Sequence, residues 1–207
     1  MRRNDRFRLA AALILLALPL AAGCAARPAA GPAPRAASPS QTLNPFVYFE
    51  DGGIAFVAVD GRAAQYVKDE RIFPLGFSFA NRTKGTLTLT RESFVLEDES
   101  GVKAPPISYA EFASGYGRAR TDAQLADSFQ EMMRFRFGSY AFASWPLYPP
   151  ASSSATARER LELGRSQYTI SYLYFPVPAG GLHGKSFALL VKANEVPDAL
   201  VVKFRIR

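Results

Sequence analysis

The feature that most constrains the fold is a set of short segments in which apolar and polar side chains alternate. In the last segment, Leu200, Val202, Phe204 and Ile206 lie on one side of an extended chain. A period of two residues is typical of a β-strand with one buried face. Polar turns separate the segments, which predicts antiparallel strands. The strand candidates are residues 46–50, 54–60, 71–81, 87–89, 94–96, 168–175, 187–192 and 200–206.

Two of these segments carry additional information about pairing. Asp51-Gly52-Gly53 joins the first two segments and predicts a hairpin turn. In the segment 71–81, Pro74 predicts an edge position or a bulge, because proline has no N–H to donate to a neighbouring strand. The side chains expected on one face of that segment are Phe73, Leu75, Phe77 and Phe79.

The middle of the chain departs from the strand pattern. Thr121 and Gln124 have the spacing of a helical capping box, and Gly138 is a helix-ending residue. The apolar residues between them follow helical spacing, and they are Leu125, Phe129, Met132, Met133 and Phe137. We therefore expect one helix, over residues 121–137, within an insertion at about 109–160.

These elements predict a mainly β fold, an antiparallel β-sandwich with one helical insertion. The stretches Phe73–Gly101 and Tyr168–Arg207 resemble the immunoglobulin-like domains of bacterial lipoproteins. The resemblance implies an immunoglobulin-like sandwich over residues 42–207. It implies a fold and no particular activity.

The N-terminus is typical of a secretory signal. Four arginines precede an apolar run of 14 residues, 9–22. A helix needs about 20 residues to span a bilayer, so this run is too short. An uncleaved membrane anchor is the alternative, although Pro19 and Gly23 interrupt the apolar run.

The end of this run, Leu20-Ala21-Ala22-Gly23-Cys24, resembles the lipobox of bacterial lipoproteins. Ala21 departs from the usual Leu, Val or Ile of that motif. The resemblance implies cleavage of the signal peptide 1–23 and acylation of Cys24, the single cysteine of the chain. Membrane lipid, palmitate included, would then be bound covalently at Cys24. Ala25 favours passage to the outer membrane, on its periplasmic face, where the host has one.

Residues 24–41 contain the lipidated cysteine and an Ala- and Pro-rich linker. The linker has almost no large apolar residues, which predicts a disordered segment. An extended chain of this composition reaches roughly 50 Å, at about 3.1 Å per residue. The domain boundaries are therefore expected at residues 1–23, 24–41 and 42–207.

The basic charge belongs largely to the targeting segment. The whole chain has a net charge of +7, whereas residues 24–207 contain 21 basic and 17 acidic residues, which gives +4. Arg27 and Arg35 lie in the linker, so residues 42–207 have a net charge of +2. The charge therefore does not indicate a nucleic-acid partner.

The motifs that could support catalysis or ligand binding are weak. Residues 179–186 loosely match a phosphate-binding loop, but an apolar strand-like run follows them where a helix is required. We interpret the loop as a hairpin turn and expect no nucleotide. His183 is the single histidine, so we expect no metal site and no catalytic residue. The acidic run 97–99 and the sequence Asn81-Arg82-Thr83 are interpreted as turns.

Aromatic residues are concentrated in residues 109–148, which hold ten of the 26 in the chain. Tyrosine and tryptophan are suited to interfaces because they combine apolar area with a polar tip. Tyr140, Trp145 and Tyr148 are therefore candidates for an interface. A second small core beneath the helix is the favoured interpretation of the same residues.

Three functions remain open from the sequence. The first is a non-enzymatic envelope lipoprotein that binds or assembles an envelope protein partner, without a cofactor. The second is a glycan-binding lipoprotein that stacks sugars on Trp145 and nearby tyrosines. The third is a hydrolase that uses His183.

Overall fold

The computed structural model describes residues 40–68, 70–150 and 153–207. They form a mainly β fold with antiparallel sheets and two α-helices. The predicted signal peptide and most of the predicted linker lie outside these residues. The strands are β1 (Gln41–Asn44), β2 (Val47–Asp51), β3 (Ala55–Asp60), β4 (Ile72–Asn81), β5 (Leu87–Thr90), β6 (Phe94–Asp98), β7 (Lys103–Ala104), β8 (Ala141–Phe142), β9 (Arg160–Leu163), β10 (Gln167–Pro176), β11 (Ser186–Val191) and β12 (Leu200–Arg205), and the helices are α1 (Tyr109–Gly115) and α2 (Ala119–Arg136).

The strands form two main sheets. The large sheet has the order β1-β2-β3-β4-β10-β8, and the small sheet has the order β12-β11-β6-β7. Neighbouring strands are antiparallel except β8, which pairs with β10 in parallel. A separate two-stranded ladder joins β5 to β9.

The main core lies between the two sheets. Phe77 of the large sheet packs edge-on against Phe94 of the small sheet, with ring centroids 4.9 Å apart. Phe73 also contacts Phe187 across the sandwich, with tilted rings whose centroids lie 6.2 Å apart. The predicted face of β4 is confirmed, because Phe73, Leu75, Phe77 and Phe79 all belong to this core.

Helix α2 covers the opposite face of the large sheet. Phe129 and Met133 are buried against Phe56 and Ala58 of β3. A Cβ atom at Gly76 would lie 3.2 Å from the Cβ of Asp60 and 3.6 Å from Cδ1 of Phe129. The absence of a side chain at Gly76 therefore avoids a tight contact with Asp60 on the neighbouring strand, whereas the distance to Phe129 is an ordinary van der Waals contact.

The long strand β4 explains the position of Pro74. β4 pairs with β10 along its length, and Pro74 lies opposite Tyr174. Strand β3 pairs with β4 only as far as Gly76, so Pro74 lies beyond the end of β3. Although β4 is an inner strand of the sheet, Pro74 has a neighbouring strand on one side only. The position is therefore equivalent to an edge, where proline is tolerated.

Several predicted boundaries hold. The hairpin at residues 51–53 is confirmed: the N–H of Gly52 donates to the carbonyl of Ala55 at 3.0 Å. The strand predicted at 71–81 corresponds to β4. The predicted linker end at residue 41 is late, because the N–H of Ser40 already donates to the carbonyl of Lys203 at 3.0 Å.

The helical insertion differs from the prediction in two respects. It contains two helices instead of one. The capping box at Thr121 is wrong, because α2 begins two residues earlier and its N-cap is Arg118, which makes no side-chain cap. The capping box occurs on α1, where Ser108 accepts a hydrogen bond from the N–H of Glu111. The sequence therefore contains two capping-box patterns, at residues 108–111 and 121–124. The local pattern alone does not show which of them begins a helix.

We expect Phe129→Ala to lower the free energy of unfolding by about 3–5 kcal/mol, because it would leave a cavity between α2 and the large sheet. Phe135→Ala on the same helix is the matched control. Phe135 is 92% exposed, and its truncation should change the free energy of unfolding by no more than about 0.5 kcal/mol. Urea unfolding of both variants measures the difference. Equal effects would contradict the packing of α2 described here.

Candidate functional site

Cys24, the predicted lipidation site, lies outside the described residues. Its role therefore depends on the sequence motif alone. The other candidate residues lie in the described part of the chain.

Trp145 lies in the main core. It is 2% exposed, and its ring packs near Phe77 and Phe94, with centroids 6.0 Å and 5.9 Å away. Its indole Nε1–H donates to the carbonyl of Arg158 at 2.8 Å. The insertion thus folds back and supplies a large apolar side chain to the gap between the sheets. Trp145 is therefore a core residue, and the candidate interface is wrong at this position.

Tyr148 is also buried, and Tyr140 is half-buried. The Tyr148 hydroxyl donates to the carbonyl of Ile107, and its ring packs 5.3 Å from that of Phe112. Burial raises the pKa of Tyr148, so the hydroxyl is a neutral donor. Tyr148 is therefore also a core residue, and the candidate interface is wrong there too. Tyr140 packs on Phe137, with ring centroids 5.3 Å apart.

A buried aspartate in the first turn of α2 was not predicted from the sequence. Asp122 is fully buried. Its Oδ2 accepts a hydrogen bond from the Tyr116 hydroxyl at 2.5 Å and a longer one from the Tyr174 hydroxyl at 3.5 Å. The Tyr172 hydroxyl donates to the main-chain carbonyl of the same residue at 2.8 Å. We call Tyr116, Asp122, Tyr172 and Tyr174 the tyrosine–aspartate cluster.

Burial controls the acid–base properties of this cluster. It raises the pKa of Asp122 to about 6, although the Tyr116 hydrogen bond and the nearby Arg118 lower it. Burial likewise raises the pKa values of the Tyr116, Tyr172 and Tyr174 hydroxyls. The tyrosines are therefore neutral donors at physiological pH, and the aspartate changes charge under mildly acidic conditions.

The cavity beside this cluster is small. It has a volume of about 170 Å³ and is lined by residues that include Tyr148, Tyr172 and Tyr174. Pockets for small molecules usually have about 300–1,000 Å³. The cluster therefore has the properties of a structural joint between α2 and the large sheet.

A spacing signal could have identified Asp122. The buried positions of α2 are Asp122, Ala126, Phe129 and Met133. Asp122 lies seven residues before Phe129, which is two helical turns along the same stripe. An acidic residue on an apolar stripe predicts a buried, hydrogen-bonded carboxylate.

His183 is exposed and both of its ring nitrogens contact main-chain carbonyls. Nδ1 lies 3.0 Å from the oxygen of Arg207, and Nε2 lies 3.1 Å from the oxygen of Val67. The carbonyl of Arg207, followed by that of Val67, raises the pKa of His183, because a doubly protonated ring satisfies both acceptors. The ring therefore joins two segments of main chain.

The loop that resembles a phosphate-binding motif connects the two sheets. It runs from the end of β10 in the large sheet to β11 in the small sheet, so its interpretation as a hairpin turn is wrong. Gly181 and Gly184 have φ values of 75° and 74°, which favour glycine. A strand follows the loop, and Lys185 pairs with Glu99 at 2.7 Å. The helix N-terminus that a phosphate site requires is replaced by this strand.

The remaining polar candidates are turn residues. Asp98 Oδ1 accepts hydrogen bonds from the N–H groups of Ser100 and Val102 at 2.8 Å and 3.0 Å. Asn81 is buried, and its Nδ2 donates to the carbonyls of Gly85 and Leu163, both at 2.8 Å. The interpretation of both as turns agrees with these bonds.

Metal-binding clusters and membrane-spanning helices are two features that the described residues lack. Within residues 40–68, 70–150 and 153–207, no group of three or more His, Cys, Asp and Glu side chains is arranged to hold a metal ion. Among the helices of that same part, none is long and apolar enough to cross a membrane.

Exposed apolar side chains form a feature that sequence analysis missed. Phe135 on α2 is 92% exposed, and Phe142 on β8 is 51% exposed. Helical geometry could have predicted the first, because Phe135 lies two residues beyond Met133 and hence on the opposite side of the helix. An open groove of about 490 Å³ borders a third such residue, Ile54.

The comparisons with known proteins are weak. No protein-family model matches the chain, and no curated protein matches it. The structure of ycdA from Bacillus subtilis, provisionally identified as a lipoprotein, aligns with a TM-score of 0.42 at 13% identity, covering 76% of this chain and 38% of ycdA. The yjhA protein of Bacillus subtilis aligns with a TM-score of 0.42 at 8% identity, covering 77% of this chain and 96% of yjhA. The chain spans less than half of ycdA, and these likenesses support no inference about function.

We expect Trp145→Ala to lower the free energy of unfolding by about 3–5 kcal/mol, because the indole fills the gap between the sheets. Tyr66→Ala is the control, since Tyr66 is 57% exposed. Thermal and urea unfolding measure both. A Trp145→Ala chain as stable as the control would restore an interface role for Trp145.

We expect Asp122→Asn to reduce the loss of stability that accompanies a rise in pH from about 4 to about 6. The folded pKa of Asp122 is about 6 and the ordinary value is 3.8. The unfolded chain therefore loses its proton first, and the contribution of Asp122 to the free energy of unfolding falls across this window by at most about 3 kcal/mol.

The test compares urea unfolding of wild type and Asp122→Asn at several pH values. Carboxylates with lowered pKa values, such as Glu70 and Glu111, contribute in the opposite direction and cancel in the difference between the two chains. Parallel pH profiles would show that the Asp122 carboxyl is not perturbed.

Proposed function

We propose that this chain is a lipid-anchored protein of the cell envelope whose folded domain is a non-catalytic binding or assembly module. The observation that carries the proposal is the sequence Leu20-Ala21-Ala22-Gly23-Cys24 at the end of a secretory signal. The periplasmic face of the outer membrane is the proposed location where the host has one. An envelope protein is the proposed partner, and no nucleic acid or nucleotide is involved.

The attachment of the folded domain at Ser40 supports a tethered function. The N–H of Ser40 donates to the carbonyl of Lys203 at 3.0 Å, and Ser40 Oγ accepts from the N–H of Lys203 at 2.9 Å. The same hydroxyl donates to Glu50 on β2. The first described residue is therefore bonded to a strand of each sheet, so that a pull on the linker is distributed over both.

We propose an immunoglobulin-like class for the sandwich on the basis of strand order. In that class one sheet has the order A-B-E-D and the other has the order G-F-C, extended by C′ in the variable type. The order β3-β4-β10-β8 matches the first, and the order β12-β11-β6-β7 matches the second. The parallel pairing of β8 departs from that class, and the insertion that carries the helices precedes β8.

The contacts of the candidate polar residues support a non-catalytic domain. Both ring nitrogens of His183 contact main-chain carbonyls. Lys185 pairs with Glu99, and Asp98 holds a turn. Each of these side chains contacts a structural partner. A structural role therefore explains these residues, and no catalytic role is needed.

The alternative of glycan binding has lost its main support. Sugar stacking requires exposed aromatic faces, whereas Trp145 and Tyr148 are 2% and 8% exposed. Tyr140 is half-buried and packs on Phe137. The binding-module proposal is favoured because it does not depend on these side chains.

We expect Cys24→Ser to abolish incorporation of a palmitate analogue and to leave uncleaved precursor, since the thiol is the acyl acceptor. Ala21→Leu is the control: it strengthens the motif and should preserve labelling and processing. Metabolic labelling followed by gel separation measures both. Equal labelling of wild type and Cys24→Ser would refute the lipid anchor.

A further inference from the structure

Exposed apolar side chains lie at both ends of the domain, with three at one end and two at the other. The described residues contain five large hydrophobic side chains that are exposed, and three of them, Ile54, Phe135 and Phe142, belong to one end. The other two lie at the opposite end. Tyr66 follows the end of β3, whereas Ile54 precedes its start. Val102 lies in the β6–β7 turn, and this turn is joined to the start of β11 by the ion pair between Glu99 and Lys185.

Strand register shows that the first three share an end. Successive partners across the large sheet are Asp51, Phe56, Ala80, Tyr168 and Phe142. This row crosses five strands, so it is roughly 20 Å wide at about 4.8 Å per strand. The β2–β3 turn, which carries Ile54, begins directly after the first residue of the row.

The C-terminus of α2 lies on the same row. The Arg136 guanidinium lies 4.5 Å from the ring centroid of Phe56 and 3.5 Å from Oδ2 of Asp51. Phe137 packs 5.2 Å from Tyr168. Phe135 therefore projects from the last turn of a helix that ends over this row. We call the surface formed by Ile54, Phe135 and Phe142 the apolar end.

The chain enters the domain at the apolar end. Gln41 pairs with Phe49, two residues before Asp51, and Ser40 bonds Glu50. Because 15 residues lie between Cys24 and Ser40, an extended linker reaches roughly 50 Å at most. An acyl anchor at Cys24 would hold this end closer to the membrane than the opposite end.

The charges at the apolar end also suit a membrane. Lys84, Arg134 and Arg165 are exposed there, and none makes an ion pair within the described part of the chain. They lie in the β4–β5 turn, the last turn of α2 and the β9–β10 turn. The acids of this end are Asp51, which pairs with Arg82 and Arg136, Glu50, which accepts a hydrogen bond from Ser40, Glu131, one helical turn before Phe135, and Glu195 and Asp198 in the loop before β12.

We propose that the apolar end docks on the surface of the membrane that holds the lipid anchor. Phe135, Phe142 and Ile54 enter the boundary between headgroups and acyl chains, and the three free basic side chains contact anionic headgroups. The docking rests on the proposed function, because the linker supplies the high local concentration that makes a small contact sufficient. The domain then stands with its opposite end, at Tyr66 and Val102, directed away from the bilayer toward a partner.

The experiment uses the full chain with its acyl anchor, in vesicles of phosphatidylethanolamine and phosphatidylglycerol with or without bromine on the acyl chains. Bromine quenches tryptophan emission at short range. Phe135→Trp places the probe at the apolar end, and Tyr66→Trp is the matched control at the opposite end. The wild-type chain, with Trp145 buried, gives the background. Unchanged melting temperatures establish that both variants are folded.

The expected result is a larger fractional loss of emission in brominated vesicles for Phe135→Trp than for wild type, with Tyr66→Trp equal to wild type. Charge reversal at Lys84, Arg134 and Arg165 in the Phe135→Trp chain should reduce that loss. Quenching of Phe135→Trp no greater than wild type would overturn the docking. A blue shift without quenching that increases with protein density would overturn it too and would assign the apolar end to a second copy of this chain.

Flotation of the chain labelled with a palmitate analogue separates the two proposals. Labelled chain that floats with the vesicles but shows no extra quenching refutes the docking and leaves the anchor in place. Unlabelled chain that is nevertheless quenched supports the docking and refutes the anchor. Unlabelled chain without extra quenching refutes both.

Discussion

The ladder between β4 and β10 is the interaction on which the rest of the structure depends. Nine residue pairs join these strands, from Ile72 opposite Pro176 to Ala80 opposite Tyr168. Both faces of the pair are covered: one packs against the small sheet and the other lies beneath α2. Because the side chains of a strand alternate between its faces, a slip of one residue would exchange the two cores. The register of this ladder thus sets the position of the small sheet, of the insertion and of the apolar end.

The insertion contributes more to the core than a peripheral element would. Phe129 and Met133 fill one face of the large sheet, while Trp145 fills the gap on the other. The chain therefore passes around the edge of the large sheet between α2 and Trp145, and β8 pairs with β10 at that edge. This path buries a carboxylate at Asp122, which accepts hydrogen bonds from tyrosine hydroxyls and makes no ion pair with any residue that the structure describes. A buried carboxylate without an ion pair is costly when it is ionised, which is why its pKa is raised.

Much of the fold could be predicted from particular residues. The alternation in residues 71–81 and 200–206 predicted β4 and β12, because the side chains of a strand alternate between its two faces and the apolar ones mark the buried face. Phe129, Met133 and Phe137 predicted a helix by their spacing. The site predictions were less successful. The exposure of Trp145 and Tyr148 could not be judged, since the segment that contains them has no regular period and its neighbours, Phe77, Phe94 and Tyr174, are distant in the chain.

By itself, the sequence predicted a secretory signal, contained a lipobox-like motif at Cys24, and determined the linker composition and most strand positions, because each is a local pattern of charge, size or hydropathy. Only the tertiary structure decided which aromatic side chains are core and which are surface. Trp145 is buried because two sheets meet around it, and Phe135 is exposed because α2 turns its opposite face to the large sheet. The meeting of Ile54, Phe135, Phe142 and Ser40 at one end likewise depends on strand register, a property of pairs of distant segments that no local pattern contains.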